Sequence, residues 1–312
     1  MPVTRIQPAE LWERQMPDPR RIRVLMGSFA LLGVWLGALG ALLQLWATYL
    51  RLGPPATGNV FLVLGLGSLV APLAVLRTAP SGRTVQRLFV ASGILGAASF
   101  LWLSRIVEAF WILPPLLVLG LALGALNAAT ALLLRATLTL PRAAHIIELG
   151  GIFFSGGAMA TCLLLWVLSE RLGTILWLLA LLFVLLAWRV SRSRFFEFLA
   201  FRPDSISLWG QLDRTPRGIL LALALFLEAG TYWTIGGWLA FYLGRKFGTA
   251  GSTSLAILGG FWLALTLGRV ASQRLPPLEK RLRWLVAASG LCFVGSIFLI
   301  QTAEISGAVV GA

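Results

Sequence analysis

Runs of about twenty apolar residues recur along this chain from Val24 almost to its end, and no other feature limits the fold so severely. Such a run matches the hydrocarbon thickness of a bilayer when helical. In lipid every backbone polar group must pair internally, so only helices or closed barrels can span. The sequence lacks the strict alternation over ten-residue segments that marks a barrel, which leaves an all-α polytopic membrane protein. Composition agrees: 58% of the 312 residues are hydrophobic and 12% are charged, about half the charge of a soluble chain. No small-residue cleavage site follows the first run closely, so a removable signal peptide is not expected. Cys162 and Cys292 both fall inside apolar runs and read as small core residues, not as a disulfide framework.

Spans are expected at 24–50, 59–77, 87–104, 110–134, 143–168, 174–190, 218–243, 252–273 and 284–302, with a tenth starting near Ile305. Their limits are set by Arg, Pro and Gly, as in RLGPPATG (51–58) and TAPSGRT (78–84). With the N-terminus in the cytoplasm, 21 of the 26 basic residues fall in cytoplasmic segments, and only Arg51, Arg105, Arg171, Arg245 and Lys246 fall opposite. That asymmetry supports both the orientation and the span count. It also explains the net charge of +14: the arginines sit at helix ends, against anionic lipid headgroups, and no nucleic-acid partner is implied.

The longest polar stretch after the N-terminus, SRSRFFEFLAFRPDSISLWGQLDRTPR (191–217), follows the sixth span. Six spans, a basic cytoplasmic linker and a second set give residues 1–190, 191–217 and 218–312, the layout of a transporter built from two halves. Within this layout four stretches carry a resemblance: GSFALLGVWLGALGALL (27–43), PRAAHIIELGGIFFSGGAMATCLL (141–164), LFLEAGTYWTIGGWLAFYL (225–243) and SLAILGGFWLALTLGRVASQRL (254–275). In that order they resemble helices one, five, seven and eight of the major facilitator superfamily, in its branch of proton-coupled fucose and glucose/mannose-type sugar transporters. The resemblance implies two six-helix halves with inverted repeats, alternating access, and a bacterial inner-membrane protein that moves a small solute, with protons as a coupling ion. It also implies a Gly-Arg gating motif, matched by Gly82 and Arg83 after helix two and by Gly268 and Arg269 at the end of helix eight. The acidic member of the first copy is missing, since VLRTAP (75–80) offers none, and headgroup anchoring is the other reading of Arg83.

Glu228 is the most expensive residue in the membrane part. It lies about 13 Å into helix seven, near the midplane of a ~30 Å core. A carboxylate there costs at least about 2.5–3.5 kcal/mol, so it is expected to face the interior. Thr231 and Tyr232 follow at i+3 and i+4 on the same face, and Gly230, Gly236 and Gly237 are expected to let the helix break beside them. Solute binding or proton coupling is one reading of Glu228; a protonated structural acid is the other. Gln44 and Asn127 are neutral candidates in helices one and four, equally readable as inter-helix hydrogen bonds. Glu148, with His145 one turn before it, reads as a proton relay or as an interfacial residue. Trp233, Trp238 and Trp262 could stack on a sugar ring or belong to interface belts. Helices one and four carry no Asp or Glu, whereas the sugar-transporting relatives have acidic residues there, so sugar specificity and proton coupling rest on the resemblance alone.

A single His and no CxxC or phosphate-cradling Gly-rich loop argue against a metal centre, a nucleophilic triad or a nucleotide cofactor. No cofactor is expected, and a monomer is. The competing classes are an efflux transporter of the same fold and a non-transporting membrane scaffold. Because ISGAVVGA (305–312) would rise only about 12 Å as a helix, the chain is expected to be a fragment whose second half is incomplete.

Overall fold

The structure is a computed structural model and describes residues 19–76, 81–137, 140–168, 171–198, 215–273 and 278–302. Its elements are α1 (Pro19–Tyr49), α2 (Pro54–Leu76), α3 (Gly82–Leu103), α4 (Leu113–Thr137), α5 (Leu140–Val167), α6 (Leu172–Ser191), α7 (Pro216–Phe247), α8 (Gly251–Ser272) and α9 (Leu278–Gln301). Short 3-10 turns precede α4 and follow α6. Among the described residues there is no strand, and eight helices are long and apolar enough to cross a membrane. The chain is an all-α polytopic membrane protein. The linker residues 199–214 and the expected start of a tenth helix at 305–312 lie outside the described residues.

Several helices run beyond the apolar runs that mark them. α1 is already helical at Pro19, ahead of Val24, because Arg20, Arg21 and Arg23 can continue a helix into the headgroup layer. α7 is similarly extended: Thr215 caps it by accepting from the Gly218 N–H at 3.2 Å, Pro216 occupies its first turn, and Gly248 ends it in the left-handed conformation at φ 63°.

α1 is the hub, packed against α5, α7, α4 and α8, while α2 pairs with α4 and α3 with α6. The packing is close because glycines remove the side chains between backbones. A Cβ on Gly33 would run into the Phe154 backbone of α5, one on Gly37 into Ala158, and one on Gly40 into the Gly236 carbonyl of α7. These registers fix direction. Contacts rise together along α1 and α5 (Gly33 with Phe154, Gly37 with Ala158), so the two helices run parallel. The same holds for α1 with α7 (Gly40 with Gly236, Gln44 with Gly244) and for α2 with α4 (Leu64 with Gly120, Ser68 with Gly124). α3 and α6 run opposite, with Gln86 near Ser193 and Gly96 near Phe183. So do α5 and α8, with Cys162 near Gly259 and Gly151 near Arg269. α1, α5 and α7 therefore point one way and α8 the other, while α2 and α4 share a direction and α3 and α6 oppose each other, each as alternating crossings of a bilayer require.

Aromatic and aliphatic side chains fill the interior, with Trp35, Phe89, Phe100, Phe183 and Trp262 almost fully enclosed. Apolar faces point outward on α2 (Leu62, Leu66, Leu69, Leu73) and α6 (Trp177, Leu181, Leu185), which in lipid carries no penalty.

Candidate functional site

α7 brings the polar residues together. Tyr232 Oη donates to Glu228 Oε1 at 2.8 Å, one helical turn apart. Thr231, on the same face, donates instead to its own helix at the Leu227 carbonyl, 2.9 Å away. Across the α7–α8 contact, the Arg269 guanidinium lies over the Tyr232 ring at 5.2 Å and over the Phe154 ring of α5 at 5.8 Å. Arg269 Nη1 also donates to the Gly151 carbonyl of α5. One arginine thus ties α8 to α7 and α5. It can do so because Gly151 leaves the approach open: a Cβ there would meet the guanidinium at 3.3 Å.

Two expectations about α7 need correcting. Glu228 does not face an enclosed interior. It is exposed, as is every side chain described between Ile219 and Thr231. The α1–α7 seam runs from the Trp35–Trp233 contact through Gly40–Gly236 to Gln44–Gly244, so the first half of α7 stands clear of the core. The glycines do not break the helix either, which is continuous from Pro216 to Phe247. Gly236 gives room for the Trp262 indole and Gly237 for the Phe61 ring; their role is close approach.

Beside this cluster lies a cavity of about 460 Å³ bounded by α1, α2, α4, α5 and α7. Asn127 and Trp233 line it, together with Trp35, Ser68, Pro72 and Phe154. Trp35 and Trp233 meet at 5.3 Å with planes tilted 57°, and among the described residues buried Trp35 Nε1 has no hydrogen-bond partner. Pro72 has no N–H to offer the Ser68 carbonyl four residues before it. Phe154 joins the two regions, since it walls the cavity and also lies beneath Arg269. The arrangement offers flat aromatic faces and an amide: enough to hold a ring-bearing polar molecule of modest size.

The remaining candidates lie elsewhere. Gln44 is buried between α1 and α7 against Gly244 and does not line the cavity. Trp262 is fully buried and packs edge-on against Phe154 at 6.0 Å, behind the cavity wall. Glu148 is exposed one turn before Gly151, on the helix that receives Arg269. Gly268 is exposed with open space around it, whereas Gly82 is buried in the first turn of α3 with exposed Arg83 next to it. Ser81 caps that turn by accepting from the Thr84 N–H at 3.1 Å. Sequence reasoning missed Trp35, Ser68, Pro72 and Phe154. Of these only Pro72, a proline inside an apolar run, carried a local signal.

The fold and this cavity define an all-α polytopic membrane protein with a partly polar cavity among its helices. No family model and no curated protein matches the chain by sequence. Among solved structures, the chain is similar to a crystal structure of a mutant of the nucleoside transporter NupG. The TM-score is 0.58 at 14% identity, covering 93% of this chain and 76% of that one. The likeness is one of fold.

Proposed function

We propose that the protein is a secondary transporter that carries a small ring-bearing solute across a bacterial inner membrane by alternating access, with its N-terminus in the cytoplasm. The observation that carries this reading is the 460 Å³ cavity walled by α1, α2, α4, α5 and α7, with Asn127, Trp35 and Trp233 in its lining. Residues 1–190 form one half, 191–217 the cytoplasmic linker, and 218–312 belong to the second half, in the manner of the major facilitator superfamily. The solute's ring packs between Trp233 and Phe154, and its polar groups meet the Asn127 amide. A sugar suits this lining, and so does a nucleoside, the solute named for the transporter of similar fold.

Arg269 acts as the gate. It reaches from the second half to Gly151 in the first at the end of the bundle where α1 begins, and breaking that contact lets the halves rock apart. Glu228 is the coupling group. As a carboxylate it holds the Tyr232 hydroxyl by a charge-assisted hydrogen bond. Protonation weakens that bond and frees the ring beneath Arg269. The test is solute uptake into proteoliposomes with and without a pH gradient. Gradient-driven uptake that Glu228→Gln abolishes supports the coupling role, and wild-type uptake by Glu228→Gln sinks it. The mostly apolar walls of the cavity favour a second reading, efflux of an amphipathic metabolite, which the same vesicles test with the gradient reversed.

A further inference from the structure

Phe154 of α5 belongs to two places at once. It walls the solute cavity of about 460 Å³, and its ring lies under the Arg269 guanidinium at 5.8 Å. α7 repeats the arrangement with consecutive residues: Tyr232 lies under the same guanidinium at 5.2 Å, and Trp233 walls the cavity. The contact that joins α8 to α5 therefore shares a wall with the cavity.

The Phe154 ring has room to move on one side only. Its backbone is fixed where Gly33 lets α1 close on it. Fully buried Trp262 meets the ring at 6.0 Å, 74° from parallel. Towards the cavity the half-buried side chain borders open space. A side chain beside a void lacks contacts there and is held less firmly than one packed all round. Swinging into that space takes the ring away from Arg269, and the guanidinium loses a cation–π contact. A ring-bearing occupant stacked on Phe154 fills the space and holds the ring where it is.

We propose that Phe154 is the positioning residue through which a ring in the cavity keeps the Arg269 gate shut. The identity of the occupant rests on the transport function proposed for this cavity, but the coupling needs only a ring. A solute without one lacks the flat face that braces Phe154 and leaves the gate as loose as an empty cavity does.

The test builds the ring into the full-length protein. Asn127 lines the cavity from α4 with an exposed side chain, so Asn127→Trp places an indole there without any solute, and Asn127→Ala is the unfilled baseline. The reporter is Ser155→Cys in a Cys162→Ala/Cys292→Ser background. Ser155 is fully buried on the face of α5 that carries Gly151 and Cys162, which meet Arg269 and Gly259 of α8. Maleimide reaches it when α5 and α8 part, and with fast opening the labelling rate follows the parted population. Asn127→Trp should label about two- to fivefold more slowly than Asn127→Ala, the range of one cation–π contact. Phe154→Leu keeps apolar bulk without a ring and should erase that difference, whereas Phe154→Tyr should restore it. Phe154→Ala replaces Phe154→Leu should the latter fail to fold. Equal rates for Asn127→Trp and Asn127→Ala beside an intact Phe154, or the same slowing beside Phe154→Leu, overturn the proposal. Solute uptake is measured separately, so its absence would sink the transport function while the coupling stands or falls on the labelling rates.

Discussion

Replacing Arg269 by alanine removes a charged side chain that ties α8 to both α7 and α5. A hydrogen bond from a charged donor contributes about 1.5–3 kcal/mol, and each cation–π contact about 0.5–1 kcal/mol. The structure has one such hydrogen bond, to the Gly151 carbonyl, and two ring contacts, at 5.2 and 5.8 Å. Their sum is about 2.5–5 kcal/mol. The lower end applies, because the Gly151 carbonyl also accepts from Ser155 Oγ at 3.0 Å and is not orphaned by the change. About 2.5 kcal/mol shifts the equilibrium between the joined and separated arrangement of α5 and α8 by roughly 60-fold.

The assay is maleimide labelling from the side where α1 begins, with Asn127→Cys as the reporter in a Cys162→Ala/Cys292→Ser background. When opening is fast relative to labelling, the rate follows the open population. Arg269→Ala should then label up to about 60-fold faster. Arg269→Lys, which keeps the charge but loses the planar fork, should fall between. A rate for Arg269→Ala within twofold of the parent would refute the gate and leave Arg269 a packing residue.

Gly40→Val forces α1 away from the Gly236 carbonyl and should cost about 1–3 kcal/mol, read as a lowered Tm in detergent; Gly27→Val, with open space around it, should leave Tm unchanged. Asn127→Leu removes the amide from the cavity and should raise KM for the transported solute about five- to 150-fold, the equivalent of about 1–3 kcal/mol. Tyr232→Phe deletes the hydroxyl that Glu228 accepts but keeps the ring under Arg269. It should alter the pH dependence of uptake while leaving the maleimide labelling rate near that of the parent.

What could be read from the sequence is what depends on the solvent or on a single helix. A run of twenty apolar residues specifies a crossing whatever packs against it, and successive crossings must alternate in direction, with which the five helix-pair registers agree. The Glu228–Tyr232 hydrogen bond is equally local, being one turn of one helix. The helical turn before Val24 in α1 was harder to foresee, because hydropathy marks the hydrocarbon layer while the helix continues through the headgroups. Contacts between helices were not legible at all. Arg269 and Gly151 are 118 residues apart, and nothing in either segment names the other.

The same distinction explains why Glu228 is affordable at its position. Hydropathy assigns its cost as though the carboxylate were alone in hydrocarbon, and on that basis it had to point into the core. The cost falls instead through two neighbours: a hydroxyl one turn along and a guanidinium stacked on that tyrosine's ring. The second neighbour comes from α8, brought within reach by glycines that let α1, α5 and α7 close up. Small residues and charged ones are therefore one device. Gly33, Gly37 and Gly40 set how closely the helices approach, and that spacing lets a single arginine of α8 touch both α5 and α7. A side chain at Gly40 should consequently disturb the labelling governed by Arg269 as well as the stability of the fold, although no atom of Gly40 touches Arg269.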